Sequence, residues 1–394
     1  MITLSPGRSV PRSGVRARLM RRTALGGVLM VMANAAAASP VLLSIPAQVV
    51  RAPVITAPSA NLTTVTLNQS RTLINWSSFD VAQGQQVDFL FQNNAGIVLN
   101  RVNSLAVIDG KLLGCVITCG PGGSIGGNVW IFSPQGVVFG PHAMVNVGGL
   151  LATTSPLLSD QAFLDGSQLS FNFGGGPADA GVIVQSGAQL NARGALALIS
   201  PSVTTQTGST IEAGGTVLYG AAQNYVIHFD ESAGHGLSLL DFEVPASALT
   251  DGTISATPLT IAGNTAAGKV IVASVSRPSV MNAVISLGGS IVANGASDGG
   301  GGDIVLTASG GPASVNVSGA LQASHGVSLQ APDGGSITIS GSVSAASAAG
   351  AGGTIQIGGA GTGSTDLTAS GRLDASSTGA GQSGGSVVLT AGAV

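Results

Sequence analysis

Charge is scarce in this sequence: Asp, Glu, Lys and Arg make up 8% of its 394 residues, against about a quarter in ordinary globular chains. Helices need charged, straight-chain residues on their solvent faces, so an ordinary helical enzyme is not expected. Aromatic residues are also few, at 4%, and only two cysteines occur. Beyond the first forty residues there is no apolar run approaching the ~18 that a membrane-spanning helix requires. Disorder is excluded from the other direction, because 44% of residues are hydrophobic and mean hydropathy is +0.46.

The charges that remain are unevenly placed. Six arginines (Arg8, Arg12, Arg16, Arg18, Arg21 and Arg22) precede position 23, whereas the acidic residues begin at Asp80. The rest of the chain carries eight basic and seventeen acidic groups, a net of −9. A surface of that sign repels phosphate backbones, so no nucleic-acid partner is expected. The arginines lead into the apolar run Thr23–Met32 and then Ala35–Ala38, the order of a secretory signal peptide over residues 1–38. Export places Cys115 and Cys119, spaced Cys-Val-Ile-Thr-Cys, in an oxidising compartment, where a local disulfide is the favoured reading. A metal site is the alternative, but zinc usually takes four ligands and no others cluster nearby.

What is abundant is glycine, 60 residues without a three-residue period, which excludes collagen. Every aromatic residue lies between Trp76 and Phe242, while residues 243–394 hold half the glycine. In that second region short alternating strands recur, as at Ile304/Leu306, Val315/Val317, Val327/Leu329, Ile337/Ile339 and Ile355/Ile357. The phrase Gly-x-aliphatic-x-Ala returns at Gly289, Gly319, Gly341 and Gly371. Its last three copies are 22 and 30 residues apart, the length of one solenoid coil. Hairpins are the competing arrangement, since Asn294-Gly295 and Asp333-Gly334 suit tight turns in a β-sandwich. The chain stops directly after a strand phrase, without a capping segment, which is the expectation for part of a longer exoprotein.

Chemistry-bearing motifs are weak. Gly263–Lys269 begins like a phosphate loop, but Val270 stands where Ser or Thr is required. Gly122-Gly-Ser124-Ile-Gly126 fits a nucleophile elbow only by pattern. His228, Asp230, Glu231, His235 and Asp241 form the densest polar group, read as a solvated excursion rather than a metal or acid–base site. His142 and His325 are read as surface or turn residues. No catalytic residue, metal or cofactor is expected.

Five phrases follow one another in order: Thr66–Asp80, Gly96–Val102, Ile108–Leu112, Gly127–Gly140 and Val145–Thr154. Together they resemble the N-terminal secretion domain of two-partner secretion exoproteins, the filamentous haemagglutinin and high-molecular-weight adhesin family. The family's Asn-Pro-Asn-Gly-Ile falls on Ser133, Pro134, Gln135, Gly136 and Val137. Pro134 and Gly136, which fix a turn, are kept, whereas both Asn positions and the Ile differ. The upstream Asn-Pro-Asn-Leu element has only Gln92-Asn93-Asn94-Ala95 as a loose counterpart, and Cys115–Ile125 reads as an insertion forming a small surface loop.

The resemblance implies an all-β fold, a right-handed parallel β-helix (β-solenoid) with an N-terminal cap. It divides the chain into a signal (1–38), a secretion domain (39–250) and Gly/Ala/Ser-rich solenoid repeats (251–394). Secretion-motif residues are carried onto Asn100, Arg101, Val102 and Ser133–Val137. The implied route is through the periplasm of a Gram-negative bacterium and an outer-membrane barrel transporter, to the cell surface or the medium. The implied role is non-catalytic adhesion to host or neighbour glycans or proteins. The alternatives are a β-helical polysaccharide-degrading enzyme and the stalk of a larger toxin. Trp76, Trp130 and Phe132 are expected to fill or cap the first coils rather than bind a ligand.

Overall fold

The computed structural model describes residues 39–45, 52–165, 169–232, 236–244, 258–275, 284–295, 302–309, 313–331, 335–348, 350–358 and 366–390. The proposed signal peptide, His235 and Asp333-Gly334 lie outside them. The chain winds as a parallel β-helix with three strand faces per coil. Face one runs from Leu62–Thr66 through Gln86–Phe91, Lys111–Val116, Met144–Val147 and Gln189–Ala192 to Arg372–Asp374. Face two runs from Arg71–Ser78 through Ile97–Val102, Asn128–Phe132, Gly149–Thr153 and Leu196–Ile199 to Ser386–Thr390. The long strands Thr210–Ala221 and Asn264–Val275 bend from face one into face two, so both belong to one 23-stranded sheet. Face three is a separate sheet of nine strands from Ala106–Ile108 to Asp366–Ala369.

Hairpin pairing between coils, the competing reading, is not what these strands do: neighbouring coils pair parallel throughout. Ser290, Ala320, Ser342 and Arg372 stack in register, each directly after one glycine of the repeated phrase. The reason for glycine there is steric. A Cβ built on Gly319 would lie 2.0 Å from the carbonyl oxygen of Gly289, and one on Gly341 1.9 Å from that of Gly319. The alanine that ends the phrase points inward, and Ala293 and Ala323 are buried in the coil's core. Two short strands, Val41–Ser44 and Val54–Ser59, run antiparallel to the first coil and form the N-terminal cap.

Inward residues stack as continuous apolar rows. One row on face two reads Ile131, Ala152, Leu198, Tyr219, Val272, Leu306, Leu329 and Ile357, one residue per coil. Burying these rows against each other is what lets a coil with no independent core be stable.

Trp76 fills the first coils as expected, packed on Phe79. Trp130 and Phe132 do not. They point out of the coil into a second core, under a three-stranded antiparallel sheet built from Ser170–Phe173, Tyr225–Ser232 and Gly236–Glu243. The outward row Leu73, Leu99, Trp130, Leu151, Ala197 and Leu218 runs in register up face two, and that sheet lies over it. Trp130 meets Phe171 edge-on at 4.8 Å and stacks with Phe229 at 5.6 Å. The helix Asp160–Leu164, capped by Ser159, adds Phe163 to this core. No described helix is long and apolar enough to cross a membrane.

Candidate functional site

The two candidate secretion phrases come together at one corner, where face two turns into face three. Asn128–Phe132 pairs with Ile97–Val102 so that Phe132 sits on Arg101, and Val137 then sits on Ala106. Ser133-Pro134-Gln135-Gly136 is a β-turn in which the Gly136 N–H donates to the Ser133 carbonyl at 3.1 Å. Proline at its second position supplies the fixed φ such a turn prefers. Gly136 has φ +114°, and a Cβ there would lie 3.1 Å from the Gly181 carbonyl oxygen of the next coil. Only glycine accommodates that backbone and that approach.

The Ser133 hydroxyl donates to the Ser104 carbonyl at 2.6 Å and accepts from the Gln135 N–H at 3.2 Å. It therefore ties this corner to the coil before it. Ser200 occupies the equivalent corner two coils on, and its hydroxyl accepts from the Val182 N–H at 3.1 Å. Within the phrase Ser133, Gly136 and Val137 are buried, Pro134 is half-buried, and Gln135 alone is exposed.

Asn100 points into the coil and is fully buried. It accepts from the Trp76 indole N–H at 2.9 Å and donates to the Trp130 carbonyl at 3.1 Å. One amide thus spans three coils, which offsets the cost of placing it in an apolar interior. Arg101 points outward and holds Asp160 with both nitrogens, fixing the short helix onto face two. Val102 returns to the interior. Sequence reasoning missed Asn128, whose amide donates to the carbonyls of Asn94 and Gly96 at 3.1 and 3.0 Å. That bond gives the loose Gln92–Ala95 counterpart a structural role, closing the corner between faces one and two.

At that same corner Cys115 and Cys119 are joined as a disulfide with Cα atoms 5.2 Å apart. The stretch read as a surface loop is a small antiparallel hairpin, with Cys115 opposite Ile125 and Val116 opposite Ser124. Ile117, directly after its first strand, has φ +72° and is 74% exposed. The Ser124 of the elbow pattern sits in this hairpin with no helix after it. Lys269 of the phosphate-loop pattern lies inside a strand, opposite Thr216.

His228 and Asp241 face each other across the covering sheet, and His228 Nδ1 lies 2.7 Å from the Ser170 hydroxyl. Among the described residues no group of three or more His, Cys, Asp or Glu side chains could hold a metal ion. His142 Nδ1 approaches Asp109 at 3.2 Å, and His325 Nδ1 approaches Asp303 at 2.7 Å, both at exposed coil corners. Two buried tyrosines, Tyr219 against Thr265 and Tyr225 against Thr153, have phenols pushed well above the ordinary range by burial. They serve as neutral hydrogen-bonding groups.

Comparison with known proteins places this architecture. The family model described as the TPS (two-partner secretion) secretion domain matches residues 51–306. Two heme/hemopexin-binding proteins of Haemophilus influenzae are similar. One is 33% identical over 101 residues, the other, from strain ATCC 51907, 32% over 99. Each match takes in 25% of this chain and 10% of the relative, so the chain spans about a tenth of their length. The HMW1 secretion domain of Haemophilus influenzae aligns over 90% of this chain and 96% of its own, at 17% identity and a TM-score of 0.49. The filamentous hemagglutinin secretion domain aligns over 90% and 100%, at 15% identity and a TM-score of 0.40. Since the family model covers well over half of the sequence, this chain belongs to the two-partner secretion domain family, whose exoproteins pass through the periplasm and a partner outer-membrane transporter of Gram-negative bacteria to the cell surface or medium.

Proposed function

We propose that the exported chain acts as a non-catalytic adhesin, presenting the outer faces of its coils to host or neighbouring cells. The observation that carries this reading is on face three. There Thr204, Thr260, Ser286, Asn316 and Thr338 stand in register on successive coils, facing outward. A row of uncharged hydroxyl and amide groups repeating at strand spacing, about 4.8 Å, offers many equivalent weak contacts, and such contacts gain strength by adding up.

The corner holding Asn100, Arg101, Val102 and Ser133–Val137 has a different proposed role. Its side chains are mostly interior once the coil has closed, so the transporter would read them on the extended chain before folding. The adhesion reading is tested by removing the gene and measuring attachment of the bacteria to epithelial cells and to each other. Attachment should fall and return on complementation; attachment unchanged in both assays would overturn it.

A further inference from the structure

Face one carries an open groove of about 620 Å³ on its outer side, beside the corner with face two. Its polar lining comes from successive coils: Asn146 is in register with Asn191, and Asn191 with Glu212. Arg193 and Asn294 complete the lining, and small residues such as Ala266, in register with Glu212, leave the space open. Arg193 is held in place, since its guanidinium donates to the Ile125 carbonyl of the disulfide hairpin at 2.9 Å. The hairpin thus fixes the cation of the groove. Among the described residues the side chains of Asn146, Asn191, Glu212 and Asn294 make no hydrogen bond within the protein. Their donors and acceptors are available to a ligand.

We infer that this groove binds a linear, neutral oligosaccharide lying along the axis of the coils. Amides, a carboxylate and a guanidinium at adjacent rungs are the groups that pair with sugar hydroxyls, which both donate and accept. One cation set beside one carboxylate gives no excess charge to hold a sulfated or phosphorylated polymer. A peptide strand would need an unpaired sheet edge, and the strands flooring the groove are paired on both sides. This assignment rests on the adhesin reading and names the class of ligand for it.

The test is calorimetric titration of the secreted chain with cellohexaose and with chitohexaose, with a heparin hexasaccharide in parallel. One neutral hexasaccharide should bind, and the double variant Asn191→Ala/Glu212→Ala should bind it about tenfold more weakly at unchanged thermal stability, the loss of about two net hydrogen bonds. Arg193→Ala should weaken it as well. Failure of both neutral probes to bind, tighter binding of heparin, or full binding by the double variant would overturn the assignment. Attachment of bacteria carrying the double variant separates the two readings. Attachment retained there but lost on gene removal would leave adhesion standing and the groove without its role. Attachment indifferent to gene removal, with hexasaccharide bound, would do the reverse.

Discussion

A methyl group added at Gly341 would arrive 1.9 Å from the Gly319 carbonyl oxygen, with nowhere to relax because that oxygen is part of the preceding coil's backbone. At Gly384 the same methyl would meet nothing within 4 Å. Gly341→Ala should therefore lower stability by about 3 kcal/mol, at the upper end of overpacking costs, while Gly384→Ala stays within about 0.5 kcal/mol of the parent. Paired melting curves of the two variants check this. Asp88 is a second residue whose environment decides its effect. It is 7% exposed, and burial raises its carboxyl above 3.8, opposed by the Gln86 amide donating at 2.8 Å. A raised folded-state value means that folding favours the protonated acid. Its stabilising contribution is thus complete below pH 3.8 and is lost as pH climbs through the folded-state value. Asp88→Asn should accordingly raise the melting temperature at pH 7, and the gain should vanish at pH 3.

The strands of face two signal that some layer covers them, although they do not say which one. Asn128–Phe132, Gly149–Thr153 and Leu196–Ile199 are buried at every position, whereas Asp303–Ser309 alternates buried and half-buried. A strand that is apolar on both sides needs a layer on each. Read that way, Trp130 belongs outside the coil, and treating the aromatics as coil filling overlooked it. The C-terminal coils were legible because one glycine phrase, at Gly289, Gly319, Gly341 and Gly371, marks each of their turns. Face three was legible from period-two alternation. The covering sheet was not, because its strands come from two separate stretches of sequence and pair antiparallel to each other. Trp130→Ala should cost about 3–5 kcal/mol, the range for a buried aromatic. Proteolysis should then release the Ser170–Phe173 and Tyr225–Glu243 region first while the coils persist. Arg101→Ala breaks only a half-exposed ion pair and should cost about 1 kcal/mol or less.

At the scale of the molecule, stability comes from each coil meeting its neighbours, so closure can proceed one turn at a time as the chain emerges from a transporter. The single disulfide suits that passage, since Cys115 and Cys119 are four residues apart and tie off a very short loop. Removing the partner transporter should leave the chain in the periplasm, as fractionation and immunoblotting would read. Normal release to the medium would contradict the route. The candidate secretion corner was legible as a turn, from Pro134 and Gly136. Its hidden half was not, because nothing in the letters says that Asn100 faces inward to bridge Trp76 and Trp130.

The corners of the coil also bear on how such a protein changes its length. Val137 pairs in register with Val182 although the Asp160–Leu164 helix and the Ser170–Phe173 strand intervene. Val203 likewise pairs with Leu259 across the hairpin of the covering sheet. The disulfide hairpin departs from the corner between faces one and two and leaves Lys111 still paired with Met144. Material added at a corner thus leaves the ladder on either side in step. Such positions are natural grafting points, where foreign loops, epitopes or whole modules can be carried outward by a scaffold that does not register their presence.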